Sequence, residues 1–138
     1  MSKDTVRRVD YWYATVPDQP GAGNVVLQKL AAAKVNLIAY LAFPVAGGKS
    51  QIDLIPVDGP ALTKAAQAGG IALSARKTAL LVQGSDRVGA LGDHVAKLAA
   101  KGVNAVAGAA VATAGGGYGF VLWVKPVDLD KATAALSA

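Results

Sequence analysis

Residues 18–40 read DQPGAGNVVLQKLAAAKVNLIAY, and residues 86–108 read DRVGALGDHVAKLAAKGVNAVAG. A shift of 68 positions lays the second stretch on the first without a gap. Asp18 meets Asp86, Gly21-Ala22 meets Gly89-Ala90, Lys29-Leu30-Ala31-Ala32 meets Lys97-Leu98-Ala99-Ala100, and Val35-Asn36 meets Val103-Asn104. Alanine richness alone does not place so many matches on one diagonal. The chain is therefore two copies of one unit, and its function has to be read from that unit.

Working outward from the repeat gives the element order. Val9 to Val16 is aromatic and β-branched with period-two alternation, which predicts a strand ended by Pro17. Asp18 to Gly21 is a turn. A helix starts near Ala22 with Val26, Leu27 and Leu30 as its apolar stripe, and the second copy shows Leu91, Val95 and Leu98 in that role. Asn36 to Val45 is the next strand. Ala46-Gly47-Gly48-Lys49 makes a hairpin, because its glycines supply positive φ. Ser50 to Val57 returns as a strand, and a short helix opens at Pro60 and stops at Gly69-Gly70. Ile71 to Gln83 reads as one long extended stretch. The order then repeats: a turn at Gly84 to Gly89, a helix to about Lys101, a strand from Asn104, a hairpin at Ala114 to Gly117, a strand over Tyr118 to Val124, and a helix over Leu129 to Leu136.

The unit is βαββα plus one strand, the split-βαβ order of a ferredoxin-like fold. The expected fold class is α+β: two ferredoxin-like βαββαβ units in tandem, antiparallel sheets with helices on one face. Residues 1–70 form the first unit and 71–138 the second. The second unit runs out before its last strand. Lys3 to Arg8 is expected to supply it, since Arg8 aligns with Arg76 at the same shift, and deleting residues 1–8 should then destabilise the whole protein.

Composition narrows the function classes. The 138 residues are 53% hydrophobic and include no cysteine, so a core is affordable while disulfides, thiolate zinc sites and cysteine catalysis are excluded. The first residues lack the apolar core of a signal peptide, and no apolar run reaches the ~20 residues of a membrane span. A soluble cytoplasmic protein is expected. The net charge of +5 is carried by scattered lysines and arginines, which reads as solubility rather than a nucleic-acid surface.

The repeated loop is the chemical centre. Gly21 and Gly89 allow close backbone approach, and the helix behind each presents unpaired N–H groups and a positive dipole end. Asp18 and Asp86 could cap the helix or receive an ammonium group. Asn36 and Asn104 offer a donor and an acceptor each. An anion hole with neutral polar partners suits an amino acid. The same Asp-x-x-Gly spacing is also ordinary turn and cap chemistry.

These residues resemble the ACT domain family, whose units carry D-R-P-G-x-L after the first strand and a G-I-N-I-like segment opening the second. The corresponding segments here are Asp18-Gln19-Pro20-Gly21-Ala22-Gly23 with Lys34-Val35-Asn36-Leu37, and Asp86-Arg87-Val88-Gly89-Ala90-Leu91 with Gly102-Val103-Asn104-Ala105. The resemblance covers nearly the whole chain. It implies allosteric, regulatory binding of an amino acid or another small ligand near these loops, at interfaces between units. Carried over, the ligand-binding residues are Asp18, Gln19, Gly21, Ala22 and Asn36, with Asp86, Arg87, Gly89, Ala90 and Asn104. Gly23 departs from the family's leucine, Val88 from its proline, and Gln19 cannot meet a carboxylate as Arg87 can. Many members are fused to an enzyme they control. This chain shows no such domain, so the expectation is action on a separate metabolic enzyme or as a stand-alone sensor.

No catalytic set is legible, and no cofactor or metal is expected. His94, the one histidine, holds the position of Val26 and reads as a half-buried helix residue rather than a ligand. Gly115-Gly116-Gly117-Tyr118-Gly119 joins two strands, whereas a phosphate loop must open a helix. Val121 and Trp123 alternate with Phe120, Leu122 and Val124, so the strand is apolar on both faces. That pattern predicts a covered sheet and a homodimer. The competing expectation is a trans-acting regulatory subunit of an enzyme that binds no amino acid.

Overall fold

The structure, a computed structural model, describes residues 4–138. Lys3, expected to begin an edge strand, lies outside the described residues. Among the described residues, six strands and four α-helices run in the order β1 (Thr5–Pro17), α1 (Ala22–Ala32), β2 (Leu37–Val45), β3 (Lys49–Pro56), α2 (Gly59–Gly69), β4 (Lys77–Ser85), α3 (Ala90–Ala100), β5 (Ala105–Ala112), β6 (Gly117–Val124) and α4 (Leu129–Ser137). They gather into two compact units, Asp10–Lys77 and residues 4–9 with Thr78–Ala138. The division falls inside β1, which starts four residues before the strand expected from Val9.

In the Asp10–Lys77 unit, β3 pairs antiparallel with both β1 and β2. Trp12, Val26, Leu30, Ile52, Leu54 and Leu62 make its core, which joins one face of the sheet to α1 and α2. Asp58 caps α2 by accepting the Ala61 N–H at 3.2 Å, and Gly70 ends it in the left-handed region at φ 69°. Residues 71–76 are not a regular strand. The Ser74 N–H donates to the Tyr13 carbonyl at 2.8 Å, but the Tyr13 N–H is received by Ser74 Oγ at 3.0 Å. A hydroxyl thus replaces a backbone carbonyl, and the ladder is not propagated.

In the other unit, β6 pairs antiparallel with β4 and β5, and the opening residues of β1 lie beside β4. Leu80, Val82, Leu98, Phe120, Leu122 and Leu136 build the core, with Val6 packed against it. Arg8 fastens this segment to α4 through Asp130 at 2.6 Å and Thr133 Oγ1 at 3.2 Å.

The 68-residue shift holds in the backbone. Trp12 opposes Leu54 as Leu80 opposes Leu122, and the register breaks at Leu37/Ala39 and again at Ala105/Ala107. Gly21 and Gly89 precede their helices at the same φ of 84°. That angle lies in the left-handed region, where a Cβ is strained.

One expectation changes. The buried face of α3 is Ala90, His94 and Leu98, while Leu91 and Val95 are 41% and 47% exposed. Both phases satisfy helical spacing. A histidine is accepted inside because its ring is hydrogen-bonded there (described below), so the helix turns by one residue from the expected stripe. Val121 and Trp123 are only 6% and 7% exposed, and Phe120 and Leu122 are buried as well, so this strand is covered on both faces.

Gly23, where the family has leucine, has a local cause. A Cβ there would stand 3.1 Å from the Tyr40 hydroxyl and 3.4 Å from Ile52 Cδ1. In the other copy the sizes are exchanged, with Leu91 on the helix and Gly108 on the strand.

Candidate ligand-binding site

Each repeated loop is pinned to the hairpin of its own unit. The Asp18 N–H donates to the Gly48 carbonyl at 2.9 Å, and the Asp86 N–H to the Gly116 carbonyl at 2.8 Å. The Gln19 and Arg87 carbonyls accept from the first helical N–H groups, of Ala22 and Ala90, at 3.2 and 3.3 Å. No side chain caps α1 or α3, so neither Asp18 nor Asp86 is a helix cap. Asp18 instead accepts from Ser50 Oγ at 3.0 Å.

The structure brings Asp86, Arg87, Gly89 and Ala90 together, along a hollow of about 290 Å3 that also reaches Tyr118. Asp18, Gln19, Gly21 and Ala22 occupy the matching loop. Asn36 and Asn104 are elsewhere. Each precedes a strand whose far end carries the hairpin, and eight residues at ~3.3 Å put them roughly 25 Å from the loop of their own unit. The Asn36 carbonyl accepts from the Val57 N–H at 3.0 Å.

A cluster the sequence reading missed stands beside the second loop. Asp4 sends its carboxylate between Arg87, His94 and Tyr118. Arg87 grips it with Nη1 to Oδ1 at 3.2 Å and Nη2 to Oδ2 at 3.1 Å. The Tyr118 hydroxyl donates to Oδ2 at 2.5 Å, and His94 Nε2 lies 2.8 Å from the same oxygen and 2.9 Å from the Tyr118 oxygen. A carboxylate only accepts, so Nε2 carries the proton. His94 Nδ1 is buried with no hydrogen-bond partner among the described residues. The Asp–His pair therefore presents no accessible basic nitrogen to a substrate, although the pairing itself is that of many catalytic dyads.

The electrostatics follow from burial against hydrogen bonding. Burial pushes Asp4 up, but the bonds from Arg87, Tyr118 and His94 outweigh it and hold its pKa at about 2. Burial, and then the bond to Asp4, pushes the Tyr118 hydroxyl up to about 12. Gly84 makes room for the carboxylate, since a Cβ there would lie 1.9 Å from Asp4 Oδ1.

A cleft of about 940 Å3 opens next to the cluster, with Asp4, Asp86, Arg87, Asp93, His94 and Lys97 among its walls. Both signs of charge line it, and the volume lies in the range of small-molecule pockets. No cluster of three or more metal-ligating side chains occurs among the described residues, and no helix there is long and apolar enough to cross a membrane.

The signal for this cluster lay in the repeat. Shifted by 68, Arg87, His94 and Tyr118 fall on Gln19, Val26 and Ser50, while Asp4 and Gly84 fall on Ala72 and Val16. The guanidinium, the imidazole and the Asp4 carboxylate thus have no counterpart, and Val16 has a Cβ where Gly84 has none.

No protein-family model matches this chain, and no curated protein matches it in sequence. Solved structures do match in shape. A protein of Bacteroides thetaiotaomicron superposes with a TM-score of 0.83 at 19% identity, over 96% of this chain and 88% of that one. The ligand-free regulatory subunit of aspartate kinase from Thermus thermophilus gives 0.65 at 14% identity, over 97% and 94%. A putative C-terminal regulatory domain of aspartate kinase from Porphyromonas gingivalis gives 0.53 at 14%, over 98% and 95%. At these identities the likeness is one of fold. The chain has the α+β architecture found in regulatory subunits and domains of aspartate kinase, in agreement with the expected fold class.

Proposed function

We propose that this chain is a regulatory module of two tandem ACT units that binds an amino acid and has no catalytic centre of its own. The observation that carries this reading is the cleft beside Asp86 and Arg87, at the start of the second loop. Arg87 and Lys97 stand there beside Asp86 and Asp93, and an amino acid brings one charge of each sign. The shared fold with regulatory subunits of aspartate kinase supports it. Asp86, Arg87, Gly89 and Ala90 are the proposed contacts in this unit, and Asp18, Gln19, Gly21 and Ala22 are the weaker counterpart. Asn36 and Asn104 would reach a ligand only from a neighbouring unit. We place the protein in the cytoplasm, as a homodimer formed through the exposed apolar end strands, where Tyr40, Phe43, Val106 and Val111 are 39–68% exposed; light scattering that gives a monomer would reject the dimer.

A thermal-shift screen against the twenty amino acids tests the central reading. A ligand at ~100 times its dissociation constant adds ~2.7 kcal/mol of stability. A selective rise that Asp86→Asn abolishes is expected, and a flat screen refutes it. One observation favours a second reading, a trans-acting subunit of a metabolic enzyme that binds no amino acid. The guanidinium of Arg87 is already committed to Asp4. That reading expects a flat screen and co-purification with a larger enzyme.

A further inference from the structure

Three donors from separate elements converge on one carboxylate. Arg87 comes from the loop after β4, His94 from the buried face of α3, and Tyr118 from the start of β6. The side chains of His94 and Asp4 are 4% and 8% exposed, and Tyr118 is 6% exposed. The donors belong to the folded frame of the unit. The acceptor does not: it is carried by the residue just before β1, at the rim of the 940 Å3 cleft. The frame is also shaped for it, because position 84 has no side chain where the carboxylate lies. None of this exists in the other copy, so the fold does not require it.

We propose that Arg87, His94 and Tyr118 form a carboxylate-binding site that the chain fills with its own Asp4, so that a small carboxylate entering from the cleft competes with this built-in occupant. The site holds a planar anion: two parallel bonds from the guanidinium on one side and the phenol and imidazole protons on the other. Tethering gives Asp4 a high effective concentration, so a free carboxylate binds the intact protein weakly. Displacement releases the start of β1, whose remaining side-chain ties in this unit include Arg8 to α4 and Thr5 Oγ1 to the Gln83 carbonyl. This inference rests on the cluster's geometry and not on the regulatory reading, so either can fail alone.

The test uses formate, which matches the group removed by Asp4→Ala. Melting temperatures of the full chain are followed in sodium formate against sodium chloride at matched ionic strength. The intact protein is expected to respond alike to both salts. Asp4→Ala is expected to melt several degrees higher in formate than in chloride, and Asp4→Ala with Arg87→Gln to lose that difference. Overturning results are no formate-specific rise in Asp4→Ala, or the same rise in the intact protein. If Asp4→Ala is unfolded in chloride, recovery of its circular dichroism in formate supports the site, and failure to recover overturns it.

Discussion

Placing a methyl group at position 84 sets two effects of opposite sign against each other. Gly84 sits in β4 opposite Tyr118. In an ordinary strand position Gly→Ala gains about 0.5–1 kcal/mol, because glycine loses more backbone freedom on folding. Here the new Cβ would stand 1.9 Å from Asp4 Oδ1 and 2.7 Å from its Cγ, distances that force the carboxylate out. Its departure breaks bonds to Tyr118 and His94, and bonds to a charged group are worth about 1.5–3 kcal/mol each. Water regained by the carboxylate returns part of this, so the net loss is roughly 2–4 kcal/mol. The half-exposed Arg87 contributes little to that sum, as solvent screens it. In an Asp4→Ala background the obstacle is gone, and Gly84→Ala should show its ordinary gain. Urea unfolding of the four proteins of this cycle should therefore give a coupling of roughly 3 kcal/mol. Equal costs in both backgrounds, within about 0.5 kcal/mol, would refute the placement of Asp4.

Further expectations follow from the buried carboxylates and the exchanged glycines. Asp4 is held at about 2 against an ordinary 3.8, so its contribution is present above pH 3.8 and is lost as pH falls toward 2; Asp4→Asn should flatten the acid limb of stability in that window, and an unchanged limb would count against the cluster. Asp53 has the opposite sign, since burial raises it despite the Gln51 bond at 2.9 Å and the charge of Lys77. Its ionisation therefore works against the folded state as pH rises, and Asp53→Asn, which keeps an acceptor for Gln51, should stabilise near neutral pH and do little in acid; denaturant midpoints at both pH values check this. Gly23→Leu should cost about 1–3 kcal/mol by overpacking against Tyr40. Adding Tyr40→Gly, which installs the Leu91/Gly108 arrangement, should recover at least half of the lost melting temperature.

Local signals carried most of the fold. Prolines, glycine hairpins and the repeat itself locate the helices to within about two residues, because turn chemistry is written in neighbouring positions. The strand over residues 71–76 was misread for a reason no neighbour reveals: Ser74 substitutes its hydroxyl for a backbone acceptor. The phase of α3 failed similarly. Leu91 and Val95 look like core and His94 looks only half-buried until a polar partner for the imidazole is known. That partner is 90 positions away in sequence, beyond the reach of any periodicity. The loop residues of the candidate site were legible because they are contiguous. Asp4 and Tyr118 were not, because only folding makes them neighbours.

A repeat carries a second kind of information, in what the copies do not share. Their strand registers and turn bonds coincide, so the backbone cannot distinguish the two loops. The difference is confined to side chains, and around the loops it runs in one direction. Asp4, Arg87, His94 and Tyr118 in one unit stand against Ala72, Gln19, Val26 and Ser50 in the other. Substituting Gln19 by arginine would not equalise them, because position 72 offers no carboxylate, position 26 offers no donor, and the Ser50 hydroxyl is already given to Asp18. Two units of one fold thus present a loop set beside a charged, internally occupied pocket and a loop with neither, and a ligand recognised by its carboxylate has reason to choose only the first.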